Sequence, residues 1–114
     1  MAEITQITGV PFQEGLTKDA NGASIGWRYA HITTDATTEV KAGSGVLHSI
    51  TFNNPTATEV ITIYDNTAAS GTVIGIITIP TSPQPVTLFY DVIFTKGLTI
   101  LTATATSDIT VSYI

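Results

Sequence analysis

From Ile25 onward this chain is a succession of short runs rich in Val, Ile, Thr, Tyr and Phe, each closed by a cluster of Gly, Pro, Asn, Asp or Ser. That punctuation constrains the fold more than any other feature. β-branched side chains are stiff at χ1 and fit a pleated, half-buried surface. Thr alone supplies about a fifth of the residues. No segment sustains a 3.6-residue apolar period, so helices are not expected. The runs predict strands at Gly26 to Thr33, Thr38 to Ala42, Val46 to Asn53, Glu59 to Asp65, Thr72 to Ile79, Val86 to Phe94, Leu98 to Thr104 and Asp108 to Tyr113.

Alternation along these runs predicts which residues share a face. Val46, His48, Ile50 and Phe52 fall on one side of the third run, opposite Leu47, Ser49 and Thr51. In the fourth, Ile61 and Ile63 oppose Val60, Thr62 and Tyr64; in the last, Ile109, Val111 and Tyr113 oppose Thr110 and Ser112. Apolar residues on one side and Thr or Ser on the other is the pattern of an antiparallel sheet wetted on one face. The run Val86 to Phe94 is apolar on both sides, which predicts a central strand or one whose outer face a partner covers.

The connectors predict hairpins. Thr95-Lys96-Gly97 is short and ends in Gly, where a left-handed residue suits a tight turn, and Gly43-Ser44-Gly45 reads as another hairpin loop. Asn66 to Gly71 is a longer loop between strands. Asn53-Asn54-Pro55 and the stretch Pro80 to Pro85 cannot continue a ladder, because proline has no N–H to donate. About eight short strands at this spacing predict an all-β, antiparallel two-sheet β-sandwich, jelly roll favoured over immunoglobulin-like.

Residues 1–24 differ from the rest. They hold Gly9, Pro11, Gly15, Asn21 and Gly22 between isolated apolar residues Ile4, Ile7, Val10, Phe12 and Leu16. Thr and Gly at the intervening positions make a poor helix. The segment reads as an extended N-terminal arm, either a frayed terminus or an arm that lies on a neighbouring subunit. The sandwich domain is then expected over residues 25–114.

Charge narrows the function classes. Only 11% of residues are charged and the formal net charge is -5. Lys18, Arg28, Lys41 and Lys96 are scattered, whereas a phosphate-binding surface clusters its cations, so nucleic acid is not an expected partner. The same acidity disfavours anionic lipid, and no apolar run reaches the length of a membrane span. Nothing resembles a secretory signal, which predicts a soluble protein made in the cytoplasm. The chain has no cysteine, hence no disulfide or thiolate metal site.

The residues that could carry chemistry are sparse. His31 and His48 show no metal-ligand spacing; a zinc site would need both plus a carboxylate such as Asp35 or Glu39. They read instead as interface or hydrogen-bonded strand histidines. Gly43-Ser44-Gly45 lacks the order of a nucleophile elbow. Asp65 ends a strand, where Asp favours turn hydrogen bonds. Asp91 sits mid-strand on an apolar background and needs a partner: Arg28, Lys96 or another subunit. No loop gathers the acids that calcium wants, and no Gly-rich phosphate cradle is present. No catalytic residue, metal or cofactor is therefore expected. Trp27, Tyr29, Tyr64, Tyr90 and Tyr113 could form a sugar-stacking platform only if displayed in one plane.

Four stretches carry a resemblance: Gly45-Val-Leu-His-Ser-Ile-Thr-Phe52, Ile61-Thr-Ile-Tyr-Asp-Asn-Thr-Ala-Ala-Ser-Gly-Thr72, Tyr90-Asp-Val-Ile-Phe-Thr-Lys-Gly-Leu98 and Asp108-Ile-Thr-Val-Ser-Tyr113. Together they resemble small virion proteins of tailed bacteriophages, from Gly45 to the C-terminus, and most specifically over Tyr64 to Thr72. The resemblance implies a head decoration or cement protein, or else a neck or tail component. Such families use trimeric β-sandwich subunits over local three-fold positions of the capsid. It implies a homotrimer on the virion head surface, the major capsid protein as partner, and no inherited catalytic residue. On this reading the candidate interface comprises Ile4, Ile7, Val10, Phe12, Trp27, His48, Phe89, Tyr90 and Asp91. The alternative is a carbohydrate-binding module of an adhesin or tail fibre.

Overall fold

The computed structural model describes residues 26–103 and 106–114. The arm over 1–24, with Ile4, Ile7, Val10 and Phe12, lies outside the described residues. Within them the chain is all-β. Its strands are β1 Arg28–Ile32, β2 Thr37–Ala42, β3 Gly45–Asn54, β4 Val60–Asp65, β5 Thr72–Thr78, β6 Val86–Phe94, β7 Gly97–Ala103 and β8 Asp108–Tyr113. They form two antiparallel four-stranded sheets. The first runs β1-β8-β3-β6 and the second β2-β7-β4-β5.

Pairing is nested. β1 pairs with β8, β2 with β7, β3 with β6 and β4 with β5; β3–β8 and β4–β7 ladders then complete each sheet. The inward residues form one sandwich-like core. Leu47, Ile50, Phe52, Phe94, Ile109 and Val111 come from the first sheet, and Ile61, Ile63, Leu98 and Ile100 from the second. Alternation correctly assigns β4, where Ile61 and Ile63 are buried, and β8, where Ile109 and Val111 are.

Alternation fails in β3, because the strand changes phase at His48. Leu47 faces Tyr113 of β8 and Ser49 faces Ser112, so β3 spends one more residue than its partner there. Toward β6, Leu47 faces Val92 while Ser49 faces Phe89, so β6 carries an extra residue around Asp91, which sits at φ 52°. A bulge of this kind moves every later side chain to the opposite face. Leu47 therefore joins Ile50 and Phe52 in the core, while His48 and Ser49 both belong to the outer side. The predicted grouping of Val46 and His48 with Ile50 and Phe52 is wrong for this reason.

Two other expectations need correction. Among the described residues β6 is an edge strand, paired only with β3, not a central one. Its outer residues Phe89 and Ile93 are 69% and 74% exposed. The connectors at 43–44 and 95–96 are not hairpins, since β2 and β3, like β6 and β7, lie in different sheets. They are a joint corner: the Gly43 N–H donates to the Lys96 carbonyl at 3.0 Å, so the β2–β7 ladder passes into the β3–β6 ladder as both strands change sheet. Gly43 takes φ 89°, a conformation glycine adopts without a Cβ clash. Asp65 braces the same corner by accepting the N–H groups of Thr95 at 3.0 Å and Lys96 at 2.8 Å. These donors hold its carboxyl below its ordinary value. The β4–β5 connection over Asn66 to Gly71 is a true hairpin.

At the opposite end several sheet-crossing loops meet over a buried acid. Glu59 is fully buried; Ser107 donates its hydroxyl to Glu59 Oε1 and accepts the Thr56 N–H at 2.8 Å. Among the described residues Glu59 Oε2 has no hydrogen-bond partner. Burial, with the nearby charge of Asp35 adding to it, pushes the Glu59 carboxyl up despite the Ser107 bond. A carboxyl raised on folding favours the folded state while protonated, and that advantage fades as pH climbs through the raised value. The denaturant midpoint of the wild type, compared with Glu59→Gln, is expected to fall as pH rises above the ordinary carboxylate range. A difference between the two proteins that does not change with pH refutes the assignment.

Candidate functional site on the outer face of the first sheet

The outer face of the β1-β8-β3-β6 sheet collects the most distinctive side chains of the described residues. Its centre is His48, placed there by the β3 bulge. The Trp27 indole stacks on the imidazole, with ring centroids 4.3 Å apart and planes 6° from parallel. Phe89 of β6 meets the same ring edge-on at 5.5 Å. His48 Nδ1 lies 2.6 Å from Asp91 Oδ1. A carboxylate only accepts, so the imidazole carries a proton on Nδ1 and donates it. The bulge in β6 is what turns Asp91 toward His48.

A second cluster lies on the same face. His31 of β1 places Nε2 2.6 Å from Asp108 Oδ1 at the start of β8. Asn53 of β3 donates to Asp108 and to the Thr110 hydroxyl, both at 3.0 Å. The Asn53 and His31 donors hold the Asp108 carboxyl below its ordinary value. Between β3 and β6 the hydroxyls of Thr51 and Thr87 bond at 2.9 Å. Each aspartate of this face thus has a histidine partner, and the remaining surface is aromatic, aliphatic or hydroxylic. Tyr29 and Ile93 are 73% and 74% exposed, Trp27 38%.

Of the predicted interface residues, Trp27, His48, Phe89 and Asp91 come together here. The predicted partners of Asp91 among Arg28, Lys96 and another subunit give way to His48 within the same chain. Tyr90 points the other way. It packs against the core, its hydroxyl so close to Gly75 of β5 that a Cβ there would lie 2.8 Å from it. Burial raises the Tyr90 phenol. Ile4, Ile7, Val10 and Phe12 lie outside the described residues. His31 is a hydrogen-bonded strand histidine, as the sequence predicts, whereas Tyr29, Ile93, Asp108 and Asn53 lie outside the predicted interface. The phase of β1 and β8 would have shown Tyr29 and His31 on the Thr110 and Ser112 side.

Chemically, the face offers flat ring surfaces, hydrogen-bonded acids and hydroxyls, which suits stacking and hydrogen bonding. Among the described residues no group of three His, Asp or Glu side chains comes together as a metal set. No helix among them is long and apolar enough to cross a membrane. No protein-family model, no curated protein and no solved structure matches this chain.

Asp91 joins two effects that substitutions separate. Asp91→Ala and Asp91→Gly both delete the bond to His48, but only alanine keeps a Cβ at positive φ. The alanine variant is expected to be less stable than the glycine variant by about 1 kcal/mol, read from urea denaturation. Equal stabilities, or a more stable alanine variant, refute the strained bulge.

Proposed function

We propose that this chain is a non-enzymatic virion structural protein of a tailed bacteriophage, a capsid decoration or cement protein that stabilises the shell as a trimer. The observation that carries the reading is the outer face of the first sheet. Trp27, Tyr29, Phe89 and Ile93 stand exposed beside aspartates already paired with histidines. Such a surface loses little by desolvation and gains by being covered by protein. The resemblance from Gly45 to the C-terminus supplies the rest: the head surface as location, the major capsid protein as partner, synthesis in the host cytoplasm, and no role for nucleic acid, membrane or cofactor. The arm over residues 2–24 would contact neighbouring subunits or the shell.

We read the body as a jelly roll. The nested pairs β1–β8, β2–β7, β3–β6 and β4–β5 are those of one antiparallel ribbon rolled on itself. An immunoglobulin-like sandwich keeps its first two strands in one sheet, whereas β1 and β2 lie in different sheets.

A carbohydrate-binding role in an adhesin or tail fibre is the second reading. It is favoured by one observation: the half-exposed Trp27 beside Asp91 and His48, an aromatic ring flanked by polar groups of the kind that hold a sugar.

Size-exclusion chromatography with light scattering is expected to give a trimer, and a strict monomer at micromolar concentration counts against the first reading. Deleting residues 2–24 is expected to weaken attachment to capsids, and unchanged attachment refutes the role of the arm. Glycan-array binding accompanied by protection of Trp27 from acrylamide quenching would select the second reading; an array without signal would remove it.

A further inference from the structure

A ring of three identical chains cannot be built from one patch meeting its own copy. It needs two different patches on each subunit, one packing on the other of its neighbour. The outer face of the first sheet offers one. The β4–β5 hairpin of the second sheet offers another.

In that hairpin Ile63 faces Gly75 while Tyr64 faces Val73, so β5 spends one more residue than β4 there. The bulge puts Val73 and Ile76, three positions apart, on the same side of the sheet. That side is the outer one, because Ile61 and Ile63 of β4 are in the core and Ile76 lies opposite Thr62. Val60 of β4 belongs to the same patch, and Ile76 is 63% exposed. Val60, Val73 and Ile76 are the exposed large apolar side chains of the second sheet among the described residues.

The two patches flank one edge of the body. Among the described residues β6 ends the first sheet and β5 ends the second. The two strands meet across the core, where the Tyr90 hydroxyl lies against Gly75. Phe89 and Ile93 therefore stand on one side of this edge, Val73 and Ile76 on the other. The charged residues of β4, β5 and β6 are Asp65 and Asp91, and both are hydrogen-bonded within the chain. Apolar surface depleted of free charge is the composition of an interface core.

We propose that the β5–β6 edge points to the three-fold axis, and that the Phe89–Ile93 side of one subunit packs on the Val73–Ile76 side of the next. The assignment rests on the trimer proposed above. A second copy is the occupant because the two sides are unlike and share an edge. One presents an aromatic ring beside Ile93, the other only β-branched aliphatic side chains. A single foreign partner would cover one side and leave the other to water, whereas a ring covers both at once. Head-to-tail contacts close only where the rotation fits, and patches flanking a common edge let three such edges converge.

Light scattering of the wild type and three variants at one protein concentration tests it. Ile76→Lys on β5 and Ile93→Lys on β6 each change a mostly exposed side chain and spare the core. Each is expected to run at the mass of a monomer. Thr37→Lys, on the outer side of the second sheet but on β2 at its far edge, is expected to keep the trimer. Mixed one to one, Ile76→Lys and Ile93→Lys are expected to form a two-chain complex, since each supplies the patch that the other lacks. That recovery also shows both variants to be folded. A trimeric Ile76→Lys or Ile93→Lys, or a mixture that stays monomeric, overturns the two-patch contact and leaves the trimer standing. Dissociation of Thr37→Lys overturns its placement at this edge. A monomeric wild type removes the trimer and this contact together.

Discussion

The structure depends on closure between the two halves of the chain. Among the described residues, each of the first four strands is hydrogen-bonded to one of the last four, and two further ladders of the same kind complete the sheets. β8 is the clearest case. It lies between β1 and β3, so β1 joins the first sheet only through β8. The buried faces of Ile109 and Val111 secure it there. Such long-range pairing carries a loop-closure cost before packing rewards it. The β4–β5 hairpin, held by Asn66 donating to the Ser70 carbonyl at 2.8 Å, is the one pairing between consecutive strands among the described residues.

Much of this was legible in the sequence. Eight β-rich runs lie where eight strands form, and β4 and β8 bury the residues that alternation assigns to them. What was hidden shares a physical cause. A period-2 reading assumes an unbroken ladder, and the bulge at His48 breaks it without a Gly or Pro to announce the change. The same limit hid the corner at Gly43 and Lys96. A short glycine-containing link is equally compatible with a hairpin and with a strand pair turning together into the other sheet. β6 looked central because its outer face is apolar, yet that face is exposed on an edge.

The candidate site was partly legible. Trp27, His48, Phe89 and Asp91 were singled out as individual residues, but their contact was not, since His48 and Asp91 are 43 positions apart. Tyr90 was misassigned because adjacent strand residues point to opposite sides, and its neighbours Phe89 and Asp91 took the outer one. The face has an electrostatic logic. In a chain with nine acidic and four basic residues, its two aspartates are matched by the chain's two histidines. Short hydrogen bonds also fix the rotamers of both rings, so the surface is held in shape before anything meets it.

The pairing of Arg28 with Tyr113 has a mechanical consequence. β1 begins and β8 ends at the same extremity of the body, so tension applied at Arg28 and Tyr113 peels their ladder open one hydrogen bond after another. A load entering at Asn54 and leaving at Tyr113 would instead pull the β3–β8 ladder along its length from opposite ends, so that its hydrogen bonds share the force. Such a ladder is strong or weak according to which of its ends carry the load.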